Sequence, residues 1–156
     1  MASRISGLQI IEIGTPLLGS KHPSFVKAEL TIDLSNVSNE MVEEWDSLRE
    51  GEALYIVQFK PLTLVSEIQK INFDMKYAKD CAKQIRGCTI EGIYDENMTL
   101  IDNSLGPNLS KKPKYYNKTR SFLVKFDTYQ FYLDFGQIKQ LDNYDKIYGE
   151  YNIVLR

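Results

Sequence analysis

The stretch Val26-Lys27-Ala28-Glu29-Leu30-Thr31-Ile32-Asp33-Leu34 alternates apolar and polar residues without a break. Successive side chains of a strand point to opposite faces, so Val26, Ala28, Leu30, Ile32 and Leu34 share one core while Lys27, Glu29, Thr31 and Asp33 share the water. A strand covered by helices on both faces reads as a continuous apolar run instead. The alternation therefore excludes a doubly wound parallel sheet and predicts an antiparallel one with a wet outer wall.

The remaining segments fit that frame. Gly7 to Ile13 reads as a short strand ended by Thr15-Pro16, and Gly19 to Pro23 as a turn. Ser38 or Asn39 can cap a helix whose early acids, Glu40, Glu43 and Glu44, suit its positive end. Met41, Trp45 and Leu48 recur at helical spacing and form an apolar stripe, on which Trp45, the single tryptophan, fits a core plug under a barrel mouth better than a base-stacking platform. Arg49-Glu50-Gly51 closes that helix. Ala53 to Phe59 is the next strand, stopped by Pro61. Residues 62–84 form an insertion, in which Lys76, Lys79 and Lys83 can share one helical face.

Ile85 to Asp102 reads as a β-hairpin, with arms Ile85–Tyr94 and Met98–Asp102 around the turn residues Asp95-Glu96-Asn97. Asn97 is the residue expected to take the left-handed conformation there. Gly87 and Gly92 lie inside the first arm. They fit either a strongly coiled sheet closing on itself or two ordinary edge glycines. A long loop, residues 103–118, precedes a strand over Thr119–Phe126. Asp127-Thr128-Tyr129-Gln130 then starts a helix that Gly136 can end, with Tyr129, Tyr132 and Phe135 predicted on its barrel face. Ile147 to Arg156 supplies the last strand. The sum is a single mainly β domain over residues 1–156: a small antiparallel β-barrel of about six strands, two short helices, a long loop and an insertion.

Bulk properties narrow the function. A 43% hydrophobic, 26% charged chain of 156 residues is long enough and apolar enough for one real core. The net charge of −2 excludes a bulk polyanion binder. Its distribution is uneven: residues 1–60 carry 5 basic and 9 acidic groups, and residues 61–126 carry 11 and 7. An anionic partner would be met by that middle third. Cys81 and Cys88, with His22 far away, do not have zinc spacing and fit a free, buried pair in a reducing compartment. No apolar run approaches a membrane span and the N-terminus has no signal-peptide core, so a soluble intracellular protein with no membrane partner is expected. The chain stops within or beside a strand, which suggests a domain of something longer.

Catalytic chemistry is scarce. A Gly-Lys-Ser/Thr phosphate loop is missing, no metal-ligand cluster is evident, and a histidine triad would have to be built on His22, between the turn residues Lys21 and Pro23. No catalytic residue, metal or cofactor is assigned, and the segment is expected to lack enzyme activity. One run does carry a binding chemistry: Lys111-Lys112-Pro113-Lys114-Tyr115-Tyr116-Asn117-Lys118-Thr119-Arg120 interleaves five basic groups with two tyrosines and no acid. Lys111, Lys112, Lys114, Lys118 and Arg120 can neutralise phosphates while Tyr115 and Tyr116 stack on unpaired bases. The same run also fits a solvated loop whose tyrosines pack back on the barrel.

Several separated blocks resemble a known family. They are residues 23–34, Glu44-Trp45-Asp46-Ser47-Leu48-Arg49, Arg86-Gly87-Cys88-Thr89-Ile90-Glu91-Gly92, Gly106-Pro107-Asn108-Leu109, Thr119 to Val124 and Ile147 to Val154. In this order they resemble the β-barrel domain of the Aquarius family, intron-binding spliceosomal RNA helicases of superfamily 1. The likeness stops over residues 60–84. It implies an accessory barrel joined by a stalk to an ATP-dependent helicase core, with ATP and Mg bound by motor domains elsewhere. It further implies a nuclear role in pre-mRNA splicing, with the barrel contacting intron RNA or docking on spliceosomal proteins. The alternative is a structural, protein-interaction barrel without RNA contact.

Overall fold

A computed structural model of the chain describes residues 1–60, 79–95, 97–101, 118–135 and 149–156. Six strands, β1 (Ala2–Ile13), β2 (Val26–Asp33), β3 (Ala53–Phe59), β4 (Ala82–Tyr94), β5 (Thr119–Phe126) and β6 (Ile153–Leu155), form a closed barrel in the order β1-β2-β5-β4-β3-β6. Every neighbouring pair is antiparallel. Six is an even number, so the pair that closes the ring, β1 with β6, can be antiparallel as well. The spatial run β6-β3-β4-β5 is a Greek key: three consecutive strands in a meander and a fourth returning beside the first.

The alternation in β2 has the predicted effect. Val26, Ala28, Leu30, Ile32 and Leu34 are all buried in one core with Leu54, Ile56, Cys88, Ile90, Phe122, Val124 and Val154. The closed-barrel reading of the glycines also holds, since the β4–β5 register slips between Ile90 and Gly92. Gly87 lies opposite Tyr55, whose ring a Cβ there would meet at 3.7 Å.

Each barrel mouth carries a helix. Over one lies α1 (Asn39–Asp46), where Ser38, not Asn39, is the cap and its hydroxyl accepts from the Met41 N–H at 3.4 Å. Trp45 is 1% exposed, with its ring centroid 6.0 Å from that of Phe122, so the plug assignment stands. Over the other lies α2 (Thr128–Phe135), capped by Asp127, whose carboxylate accepts from the Gln130 N–H at 2.6 Å. Its buried face is Phe131 and Phe135, four apart with ring centroids at 4.6 Å. That corrects the expected face of Tyr129, Tyr132 and Phe135. A spacing of three drifts off an α-helical stripe where a spacing of four holds it, and Tyr129 is exposed.

Other expectations change. The hairpin's second arm is not a strand: Tyr94 and Leu100 make an isolated bridge, and β4 pairs instead with β3 and β5. The Asp95 carboxylate accepts from the N–H groups of Asn97 and Thr99, and the left-handed residue is Met98 (φ 58°), not Asn97. β1 begins at Ala2 and β6 spans three residues, so the first strand is longer and the last shorter than their sequence patterns imply. Lys83 belongs to β4, which breaks the proposed helical face with Lys79. Lys76, the loop over 103–117 and Gly136 lie outside the described residues.

Candidate nucleic-acid interface

Of the seven candidate contact residues, Lys111, Lys112, Lys114, Tyr115 and Tyr116 lie outside the described residues. The two at the foot of the run, Lys118 and Arg120, have opposite fates, because strand alternation begins between them. Lys118 is exposed and tied back to the β2–α1 connection. Its carbonyl accepts from the Leu34 N–H at 2.6 Å and its ammonium donates to the Ser35 carbonyl at 3.0 Å. Beside it, the Ser35 hydroxyl and the Ser35 N–H hold the Asp33 carboxyl below its ordinary range, with the Lys118 charge assisting. The foot of the basic run thus stands next to an acid, Asp33.

Arg120 points the other way. It alternates in phase with Phe122, Val124 and Phe126, all buried, and is itself 1% exposed. Its Nε donates to Asp46 Oδ1 at 2.8 Å and its second guanidinium nitrogen to Asp46 Oδ2 at 3.2 Å. The third donates to the Thr119 carbonyl at 3.0 Å. A guanidinium engaged on all sides inside the barrel cannot also neutralise a phosphate on its surface. Arg120 is therefore withdrawn from the candidate interface.

The opposite mouth repeats the device. Arg86, in phase with the buried Cys88 and Ile90, donates to both carboxylate oxygens of Asp134 on α2 at 2.7 Å. Gln130 Nε2 donates to the same carboxylate at 3.0 Å. Because β4 and β5 are antiparallel, their N-terminal halves lie at opposite mouths, and each places one arginine inward there. Asp46, Arg86 and Asp134 were missed as a set by sequence reasoning. The available signal was an arginine, Arg86 or Arg120, falling on the apolar phase of its strand; the helical partners Asp46 and Asp134 carried no such mark.

Other groups with chemical potential are quiet. Cys81 and Cys88 are free and buried, and burial pushes the Cys88 thiol up to about 12, far from a reactive thiolate. His22 Nδ1 lies 3.2 Å from Thr128 Oγ1 and 3.2 Å from the Pro23 carbonyl, which ties the turn before β2 to the start of α2. Among the described residues no three potential metal ligands cluster. A crevice of about 30 Å3 between Arg86, Gly87, Phe126, Asp127, Gln130 and Phe131 has room for water rather than for a base.

Comparison with known proteins agrees with the resemblance of the sequence blocks. The family described as "Intron-binding protein aquarius, beta-barrel" matches residues 1–156. A curated relative, the RNA helicase aquarius of Mus musculus, is 26% identical over 161 residues, covering 100% of this chain and 10% of that protein. The chain thus spans about a tenth of the relative's length. With the family matched along the whole chain and the closed barrel its description names in place, the chain belongs to the aquarius β-barrel family.

Proposed function

We propose that this chain is a non-catalytic accessory barrel of an intron-binding RNA helicase that acts in pre-mRNA splicing in the nucleus. It works through its outer surface, by docking on spliceosomal proteins and on the helicase core and stalk of its own polypeptide. The observation that carries this reading is the sealed interior. Both mouths are covered by helices, and each helix is locked to a strand by an Arg–Asp pair. Such a barrel offers a surface rather than a chamber. ATP and Mg belong on this reading to motor domains outside residues 1–156, since the sequence has no phosphate loop to hold a triphosphate.

A second reading, direct contact with intron RNA, is favoured by the run Lys111 to Lys118, where four lysines and two tyrosines occur without an acid. Titration of labelled oligouridine at several salt concentrations separates the two. Steeply salt-dependent binding that falls with charge reversal at Lys111, Lys112 and Lys114 supports RNA contact. No binding at low salt, or equal binding by the reversed variant, leaves docking as the function.

A further inference from the structure

The seam that closes the ring, β6 against β1, is short. β6 holds β1 over Ala2, Ser3 and Arg4, and the Ile5 N–H donates to the Asn152 carbonyl at 2.9 Å. Beyond that point the chain that forms β6 leaves β1 and follows β3. The Asn152 N–H donates to the Val57 carbonyl at 3.1 Å, and the Asn152 side-chain amide exchanges two bonds with the Phe59 backbone, at 2.7 and 3.0 Å. Glu150 meets Lys60 at 3.0 Å, and the buried Tyr151 donates to Gln84 Oε1 at 3.0 Å. β1, however, continues to Ile13, paired with β2 up to its last residue. From Gly7 to Ile13 it has a strand on one edge and none on the other among the described residues. That free edge is apolar. Leu8 and Ile10 pack against the core yet stay half-buried, because no strand stands beside them. The register with β2 slips between Ile10 and Glu12, which leaves Ile11 unpaired and 50% exposed. Native edges are blunted by lysine, proline, charge or bulges. Here the bulge brings an isoleucine into water, and the only charge is Glu12.

We propose that the free edge of β1 takes up an extended segment of a partner protein as an added strand, apolar at alternate positions and carrying a lysine or arginine against Glu12. The proposal deepens the docking reading and rests on it for the source of the strand. Free N–H and C=O groups along an edge require an extended guest, and main-chain bonds supply the affinity. Side-chain alternation puts every second guest residue beside Leu8 and Ile10, which asks for aliphatic groups there. The charge follows from Glu12. Its cross-strand neighbour is Lys27, but Lys27 Nζ already meets Glu91 at 3.2 Å. The exposed Glu12 carboxylate therefore has no cation among the described residues. A second copy of the chain is the poorer guest. With two β1 strands antiparallel over Gly7 to Ile13, each chain beyond Ile13 would run onto the other's Ile5, whose edge N–H is already held by Asn152. A lone strand of about seven residues ends before that point.

The test titrates the chain with an end-capped heptapeptide of alternating valine and threonine, one threonine replaced by lysine, and reads amide hydrogen exchange. The expected result at millimolar peptide is new protection at those amides between Gly7 and Ile13 that do not bond to β2. Two N-methylated peptides, one modified on its valines and one on its other residues, should differ. One should lose the protection and one keep it, since alternate N–H groups face opposite edges of a strand. Glu12→Lys should weaken the lysine peptide about threefold, the size of an exposed ion pair, and strengthen a glutamate counterpart by a similar factor. No protection of these amides, or equal binding by both methylated peptides, would overturn the proposal. Protection of the same amides without peptide would overturn it too. If that protection grew with concentration, the edge would belong to a second copy; if it did not, to a segment of this chain. None of these outcomes bears on the oligouridine titration or on the rest of the barrel wall, so the docking reading stands or falls separately.

Discussion

Arg120 of β5 and Asp46 of α1 form a two-point ion pair inside the barrel, with both side chains 6% exposed or less. Seventy-four residues separate them in the chain. A pair so buried contributes little net stability, because desolvation offsets most of the Coulomb attraction, yet removing one member strands a charge. Here it fixes which helix closes which mouth.

The first prediction follows from that asymmetry. Asp46→Ala or Arg120→Met alone should destabilise the domain by about 3–5 kcal/mol, and the double variant should recover much of the loss. Thermal melts of the four proteins check this. Additive losses in the double variant would mean that the two groups act independently.

Core packing sets the second. Trp45→Ala and Leu30→Ala remove buried side chains and should each cost about 2–5 kcal/mol. Trp45→Phe should cost much less than Trp45→Ala. The indole N–H is buried without a hydrogen-bond partner among the described residues, so its deletion forfeits packing but no bond. Chemical denaturation of the three variants measures the order.

The third concerns alkaline pH. Burial raises the Cys88 thiol from 9.0 to about 12 in the folded protein. Below about pH 9 both states hold the proton and stability is complete. Between 9 and 12 only the unfolded thiol ionises, so stability should fall by a few kcal/mol as pH rises. Burial also raises the Tyr151 phenol, which adds a slope of the same sign. Cys88→Ala should flatten the alkaline decline in melting temperature without removing it.

The fourth separates surface charge from interior charge. If the run Lys111 to Lys118 binds single-stranded RNA, three to four phosphate contacts give a slope of log K against log salt of roughly −2 to −3. Charge reversal at Lys111, Lys112 and Lys114 should flatten it. Tyr115→Ala with Tyr116→Ala should cost about 1–3 kcal/mol per stacked base at nearly constant slope. Arg120→Met should lower the melting temperature and leave the slope unchanged; a flattened slope would return Arg120 to the interface.

Reading the chain alone was enough for what repeats locally. The alternation over residues 26–34, the Ser38 and Asp127 caps, and the apolar spacing that ends in Trp45 each depend on neighbours within a few positions. They were sufficient to reach an antiparallel barrel plugged by helices. What the sequence left open depends on partners far apart. Whether Arg120 meets phosphate or Asp46 turns on where the strand's alternation begins, one residue after Thr119. Whether Asp95 starts a two-stranded hairpin turns on which strands compete for β4, and β3 and β5 win both its edges. The pairing of β6 with both β1 and β3, which closes the ring, exists only in the register of strands drawn from separate parts of the chain. Local periodicity decides which face of an element is buried; only ring closure decides what that face, and the face behind it, will touch.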